Sequence, residues 1–170
     1  MRPAILLALL TTATSCANEP TPKLVPPIAG LTISQLRDSF DEVRGQGKHE
    51  ALDIVVARGT EVRAIVSGTI RKLFLSKPGG NTIYLFDEKE EFCYYYAHLE
   101  SYRDGLHEGD KVKSGDLIGF VGTSGNANPN VPHLHMAIVE LGPRKEWWKG
   151  TAVNPYPIMV QAVKNSINQK

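Results

Sequence analysis

From residue 45 onward, short runs of β-branched and aromatic residues are cut at brief intervals by glycine and proline. Residues 52–57 end before Gly59, residues 61–66 before Gly68, residues 69–75 before Pro78-Gly79-Gly80, and residues 117–121 lie between Gly115 and Gly122. Runs of this length are too short for most helices and suit strands joined by tight turns. Residues 81–86 and 92–98 alternate well enough to pair as a hairpin through Asp87-Glu88-Lys89-Glu90. The pattern predicts an all-β domain: a compact antiparallel β-sandwich or partly open barrel with few short helices.

One of these runs carries chemistry. His133-Leu134-His135-Met136-Ala137-Ile138-Val139 reads as a buried strand. Side chains alternate faces along a strand, so His133 and His135 share one face and Leu134 takes the other. Two imidazoles so placed suit a metal ligand beside a proton-transfer or oxyanion-stabilising group. Three further residues join them. Asp53 enters the strand at 52–57, His49 precedes it in a glycine-bearing loop, and His98 ends the hairpin. A catalytic zinc site takes three protein ligands from His and carboxylate and leaves a position for water. The metal acidifies that water and polarises a carbonyl, and neighbouring imidazoles move protons or bond an oxyanion. The residues alone do not say which three of the five bind. His107 lies in a polar loop and is assigned no role.

The remaining chain frames this domain. At 170 residues with 42% hydrophobic and 22% charged side chains, it matches one globular domain. A net charge of +1 lacks the clustered basic excess of a nucleic-acid binder. Residues 1–15 open with Arg2 and a short apolar run, a secretory signal peptide too short to span a membrane. Ala13-Thr14-Ser15-Cys16 resembles a bacterial lipobox, so Cys16 is expected to be lipidated. The mature protein is then extracytoplasmic, periplasmic and anchored to a membrane. Cys93, in an apolar-aromatic run, would have no disulfide partner and is expected in the core. Residues 16–30, with Pro20, Pro22, Pro26 and Pro27, read as a tether. Residues 31–160 form the domain, with a short helix expected over 32–40, and residues 161–170 a tail within a frayed helix from 158. Trp147 and Trp148 either line a substrate groove or close over the core edge.

His49-Glu50-Ala51-Leu52-Asp53, Gly59-Thr60-Glu61-Val62, Tyr96-Ala97-His98-Leu99, Gly115-Asp116-Leu117-Ile118-Gly119-Phe120-Val121-Gly122 and His133-Leu134-His135 together resemble the lysostaphin-type zinc metallopeptidases. The resemblance runs in order from about residue 45 to 157. It implies a fold of the duplicated-hybrid-motif type and one Zn²⁺ per chain held by His49, Asp53 and His135. His98 and His133 would be the catalytic histidines. It also implies hydrolysis of peptide bonds in peptidoglycan stem peptides or cross-links. Ala51 stands where many members have glycine and is expected to narrow the local backbone choices. Two other functions compete. One is a non-catalytic wall-binding or amidase-activating module, whose members typically lose ligands that this chain keeps. The other is a histidine phosphocarrier of similar β architecture, which the signal peptide argues against. The segment 31–47, just before His49, is a candidate cover for the cleft.

Overall fold

The computed structural model describes residues 24–45 and 47–168. The signal-peptide and Cys16 readings lie outside the described residues. In chain order the strands are β1 (Val43–Arg44), β2 (Gly47–Lys48), β3 (Leu52–Val55), β4 (Glu61–Arg63), β5 (Gly68–Ser76) and β6 (Gly80–Asp87). They continue with β7 (Phe92–Tyr102), β8 (Lys111–Val112), β9 (Leu117–Val121), β10 (His133–Leu141) and β11 (Gly150–Val153), followed by helix α1 (Pro155–Ile167). Among the described residues, β1 and β2 form a separate ribbon and the other nine strands form one open antiparallel sheet. Its backbone order is β11-β10-β7-β6-β5-β8, with β3 on β10 and with β9 joining β7 to β4.

Alternation decides which residues fill the core. On β10, Leu134, Met136 and Ile138 are almost fully buried, and on β3 so are Leu52 and Ile54. They pack with Ile65, Ile70, Ile83, Leu85, Tyr96, Leu99, Ile118 and Val121. Tyr96 keeps its hydroxyl satisfied there by accepting from the Ile65 N–H at 3.1 Å. The opposite faces of β3 and β10 carry Asp53, Val55, His133 and His135. Register sets Asp53 against His135 and Val55 against His133.

The sheet opens at His98. Strand β7 pairs with β10 along Phe92–Ala97 and then with β9 from Leu99 onward. His98 sits between these two partners with φ of +59°, in the left-handed region. Its N–H donates to Gly79 O at 2.8 Å instead of to a neighbouring strand. A left-handed residue at a strand irregularity bends the chain, and here it creates the notch in which the histidines meet.

Three expectations change. The stretch 24–30 is docked: Ile28 is buried, Val25 N–H donates to Ile65 O at 3.0 Å, and Arg63 N–H donates to Pro27 O at 2.8 Å. Proline excludes helix and central strand but not an extended segment laid along an edge. The helix expected over 32–40 is a single 3-10 turn, Ile33–Gln35, where Gln35 Oε1 accepts from the Thr32 N–H at 3.0 Å. Ile33 stays exposed while Leu36 is buried, so no continuous apolar stripe exists to extend the turn. At the other end, α1 starts at Pro155, with Asn154 accepting from the Tyr156 N–H. Met159, Ala162 and Val163 are buried, so the core runs past residue 160 into the segment read as a tail. Among the described residues no helix is long and apolar enough to cross a membrane.

Candidate metal centre

His49 Nε2, Asp53 Oδ1 and His135 Nδ1 converge. The separations are 3.1 Å from His49 to Asp53, 3.0 Å from His135 to Asp53 and 3.1 Å between the two imidazoles. Two devices fix them. Asp53 and His135 are register partners on β3 and β10. His49 stands just before β3, held by His49 N–H to Glu42 O at 2.8 Å and Glu50 N–H to Phe40 O at 2.9 Å. The unusual backbone is at Glu50, with φ of +52°. Ala51 is buried and is not among the positive-φ residues, so its methyl group imposes no strain at the position where glycine was compared.

The donor chemistry fits a divalent cation of zinc type. His49 Nδ1 lies 3.1 Å from Ser39 O. A carbonyl only accepts, so Nδ1 carries the proton and Nε2 turns a lone pair toward Asp53 and His135. Lone pairs and a carboxylate packed about 3 Å apart repel one another unless a cation or proton lies between them. Tetrahedral ligation at ~2.0–2.1 Å puts neighbouring donors about 3.3 Å apart, near the separations found. Among the described residues, His49, Asp53 and His135 are the set of three donors within 4.8 Å of one another.

Electrostatics point the same way. Burial pushes the Asp53 carboxyl up, but the adjacent His135 and His49 rings and the Arg44 guanidinium outweigh it and hold the group well below the carboxylate range. Burial pushes His135 down, partly opposed by Asp53. Both shifts favour the unprotonated ligand forms that metal binding requires.

His98 and His133 stand beside these donors. The His98 ring centre is 4.9 Å from that of His133 and 5.5 Å from that of His135. His133 Nε2 is 3.9 Å from Asp53 Oδ1. His98 Nδ1 donates to Ser124 O and His133 Nδ1 to Val131 O, both at 2.9 Å. In both rings Nε2 is therefore the atom left for chemistry. Burial lowers the His98 pKa, as do the nearby His135 and His133, which keeps it a neutral base near pH 7.

The structure thus brings together all five residues singled out in the sequence. It adds three that spacing did not reveal: Ser39 on His49, Ser124 on His98, and Arg44, whose Nη2 donates to Asp53 Oδ2 at 2.8 Å. Ser39 and Arg44 come from the segment considered as a cover, and their hydrogen bonds brace the donors. The two tryptophans divide the alternatives between them. Trp147 is half-buried against Tyr84 and Phe74, at ring distances of 4.6 and 5.5 Å, while Trp148 is 63% exposed. Rings continue from the donors outward: His135 to Tyr95 at 6.0 Å, Tyr95 to Tyr84 at 4.8 Å, Tyr84 to Trp147 at 4.6 Å, and Trp147 to Trp148 at 5.2 Å. They border a cleft of about 280 Å³ that also includes Glu50 and Ala137.

Known proteins resemble this chain in sequence and fold. The chain is 30% identical over 139 residues to the L-Ala--D-Glu endopeptidase of Bacillus subtilis, covering 77% of this chain and 41% of that protein. It is 32% identical over 117 residues to the glycyl-glycine endopeptidase ALE-1 of Staphylococcus capitis, covering 68% of this chain and 30% of that protein. The chain thus spans well under half the length of these relatives. The catalytic domain of the antimicrobial peptidase lysostaphin from Staphylococcus simulans superposes with a TM-score of 0.58 at 29% identity, covering 81% of this chain and 88% of that one. Residues 47–155 match peptidase family M23, and with the match spanning most of the chain, including Asp53, His98, His133 and His135, the protein belongs to that family.

Proposed function

We propose that this protein is a zinc-dependent endopeptidase that hydrolyses peptide bonds in peptidoglycan stem peptides or cross-links. One observation carries the reading: three metal-directed donors and two further imidazoles with free Nε2 atoms share one open notch. His49, Asp53 and His135 would hold one Zn²⁺, which supplies Lewis acidity, acidifying a water and polarising the scissile carbonyl. His98 and His133 take up and return protons at Nε2, or donate from Nε2–H to the oxygen that gains charge. The Ser124 and Val131 carbonyls fix both rings through Nδ1, so neither ring needs to reorient during the reaction. The aromatic cleft from Tyr95 to Trp148 is the substrate groove, with Trp148 as its exposed contact and Trp147 as its packed wall. Signal-peptide export and a lipid on Cys16 would place the domain in the periplasm beside a membrane.

Digestion of purified sacculi, with zinc and with chelator, tests this reading. Released fragments are read by mass spectrometry. Chelator-sensitive cleavage of a peptide bond is expected, restored by zinc. Protein that carries zinc and cleaves nothing would turn the reading toward a wall-binding module.

A further inference from the structure

Asp53 presents two oxygens to two different environments. Oδ1 lies between His49 Nε2 and His135 Nδ1, while Oδ2 accepts from Arg44 Nη2 at 2.8 Å. Arg44 is itself braced. Glu42 Oε2 is 3.4 Å from the same Nη2, and Arg37 holds the other oxygen of Glu42. The backbone beneath is tied to the site as well: Arg44 pairs with Gly47 across the β1–β2 ribbon, and Glu42 O accepts from the His49 N–H. The segment that delivers His49 therefore also delivers a guanidinium to the back of Asp53. Arg44 takes no part in the donor set; among the described residues its guanidinium bonds Asp53 and Glu42 rather than His98 or His133.

We infer that Arg44 is a positioning residue that confines Asp53 to binding the metal through Oδ1 alone; this rests on the zinc reading above. A carboxylate with both oxygens free can close on a cation with both. A catalytic zinc site rests with four ligands, and some such sites expand to five in the transition state. A second carboxylate oxygen would fill that fifth place before substrate could use it. The guanidinium removes the option by engaging Oδ2 in a charge-assisted hydrogen bond. Outer-shell partners of metal ligands commonly act in this way on orientation. The Asp53 side chain is only 18% exposed, so water replaces the missing partner poorly when Arg44 is removed.

The test uses the full chain loaded with Co²⁺ in place of zinc, because cobalt d–d absorption weakens as coordination rises from four to five. The variants are Arg44→Ala, Arg44→Lys and Arg58→Ala. The last removes an exposed Arg–carboxylate pair of the same kind, with Glu100 at 2.6 and 2.8 Å, outside the donor set. Expected are intense four-coordinate spectra for the parent protein and Arg58→Ala, a clear loss of intensity for Arg44→Ala, and partial recovery for Arg44→Lys. An Arg44→Ala spectrum as intense as the parent's overturns the inference, even if turnover falls, since Arg44 would then act on substrate. Failure of the parent protein to take up cobalt or zinc would instead overturn the zinc reading itself. Metal content and thermal melting, measured on each variant, separate these outcomes from misfolding.

Discussion

The left-handed backbone at His98 is a measurable cost carried for position. A non-glycine residue in that region loses roughly 1–2 kcal/mol relative to its favoured conformations. At φ of +59°, glycine escapes this cost but carries more unfolded-chain entropy, worth roughly 0.5–1 kcal/mol against it. Comparing His98→Gly with His98→Ala isolates the difference. Both variants lose the imidazole, its 2.9 Å bond to Ser124 O and its contacts with His133 and His135. What remains is the backbone, so the central values leave the glycine variant more stable by about 0.75 kcal/mol. For a chain of this size that corresponds to a gap of about 1–4 °C in Tm. Urea denaturation monitored by tryptophan fluorescence gives the free-energy difference directly, and sacculus digestion gives activity. Both variants should be inactive while keeping bound metal, because His98 is outside the donor set. An alanine variant equal to or more stable than the glycine variant would refute the claim that the notch is held by a strained backbone.

Three further outcomes are expected. Trp148→Ala should weaken substrate binding, read as a higher KM on soluble muropeptides, with stability within about 0.5 kcal/mol of the parent; Trp147→Ala, removing a half-buried ring, should cost about 2 kcal/mol by urea denaturation. Cys93 is buried, and burial, with Asp87 adding a smaller push, raises its thiol to about 12, so the native protein should resist iodoacetamide at pH 8 and react only once unfolded. Metal-free protein should lose stability as pH falls. His98 and His135 lie below their ordinary 6.5, so the unfolded chain binds more protons below that pH. Asp53, lowered from 3.8, adds a loss further into acid. A urea midpoint at pH 5.5 equal to that at pH 7.5 would contradict the sign.

Local period made much of the site legible. Alternation along 133–139 placed His133 and His135 on one face and Leu134 in the core, as found. It did so because a strand leaves no other choice once Leu134, Met136 and Ile138 are buried. The glycine-cut strands likewise announced an all-β domain, a sandwich or partly open barrel, and the structure resolves that choice into an open sheet. Choosing His49, Asp53 and His135 from five candidates needed the family resemblance, since His49 reaches the others through a loop whose path no periodicity encodes. Ser39 and Arg44 were invisible for a related reason. Each reaches the donors from a short loop or a two-residue strand, and neither leaves a spacing signal. The prolines at 26 and 27 ruled out helix but not docking, which depends on edge carbonyls and amides that only the folded sheet presents.

The centre joins two kinds of placement with different tolerances. Asp53 and His135 are fixed by strand register, so a one-residue slip between β3 and β10 would turn one of them into the core and put Ile54 or Leu134 outside. Burial of those apolar side chains opposes the slip, and the hydrophobic core thereby specifies the spacing of two donors. His49 and His98 have no such guarantee. One hangs from a turn with a left-handed Glu50 and has its Nδ1 against the carbonyl and hydroxyl of Ser39; the other hangs from a left-handed bend in β7 and has its Nδ1 on the Ser124 carbonyl. Rigid register thus supplies half of the notch, and strained, hydrogen-bonded backbone supplies the other half. Substitutions that loosen the site without unfolding the protein should therefore concentrate in Arg44 and Glu50, and in the hydroxyls of Ser39, 3.1 Å from His49 Nδ1, and of Ser124, which donates to Leu99 O at 2.7 Å and accepts from the Asn81 N–H at 3.0 Å, rather than in β3 and β10.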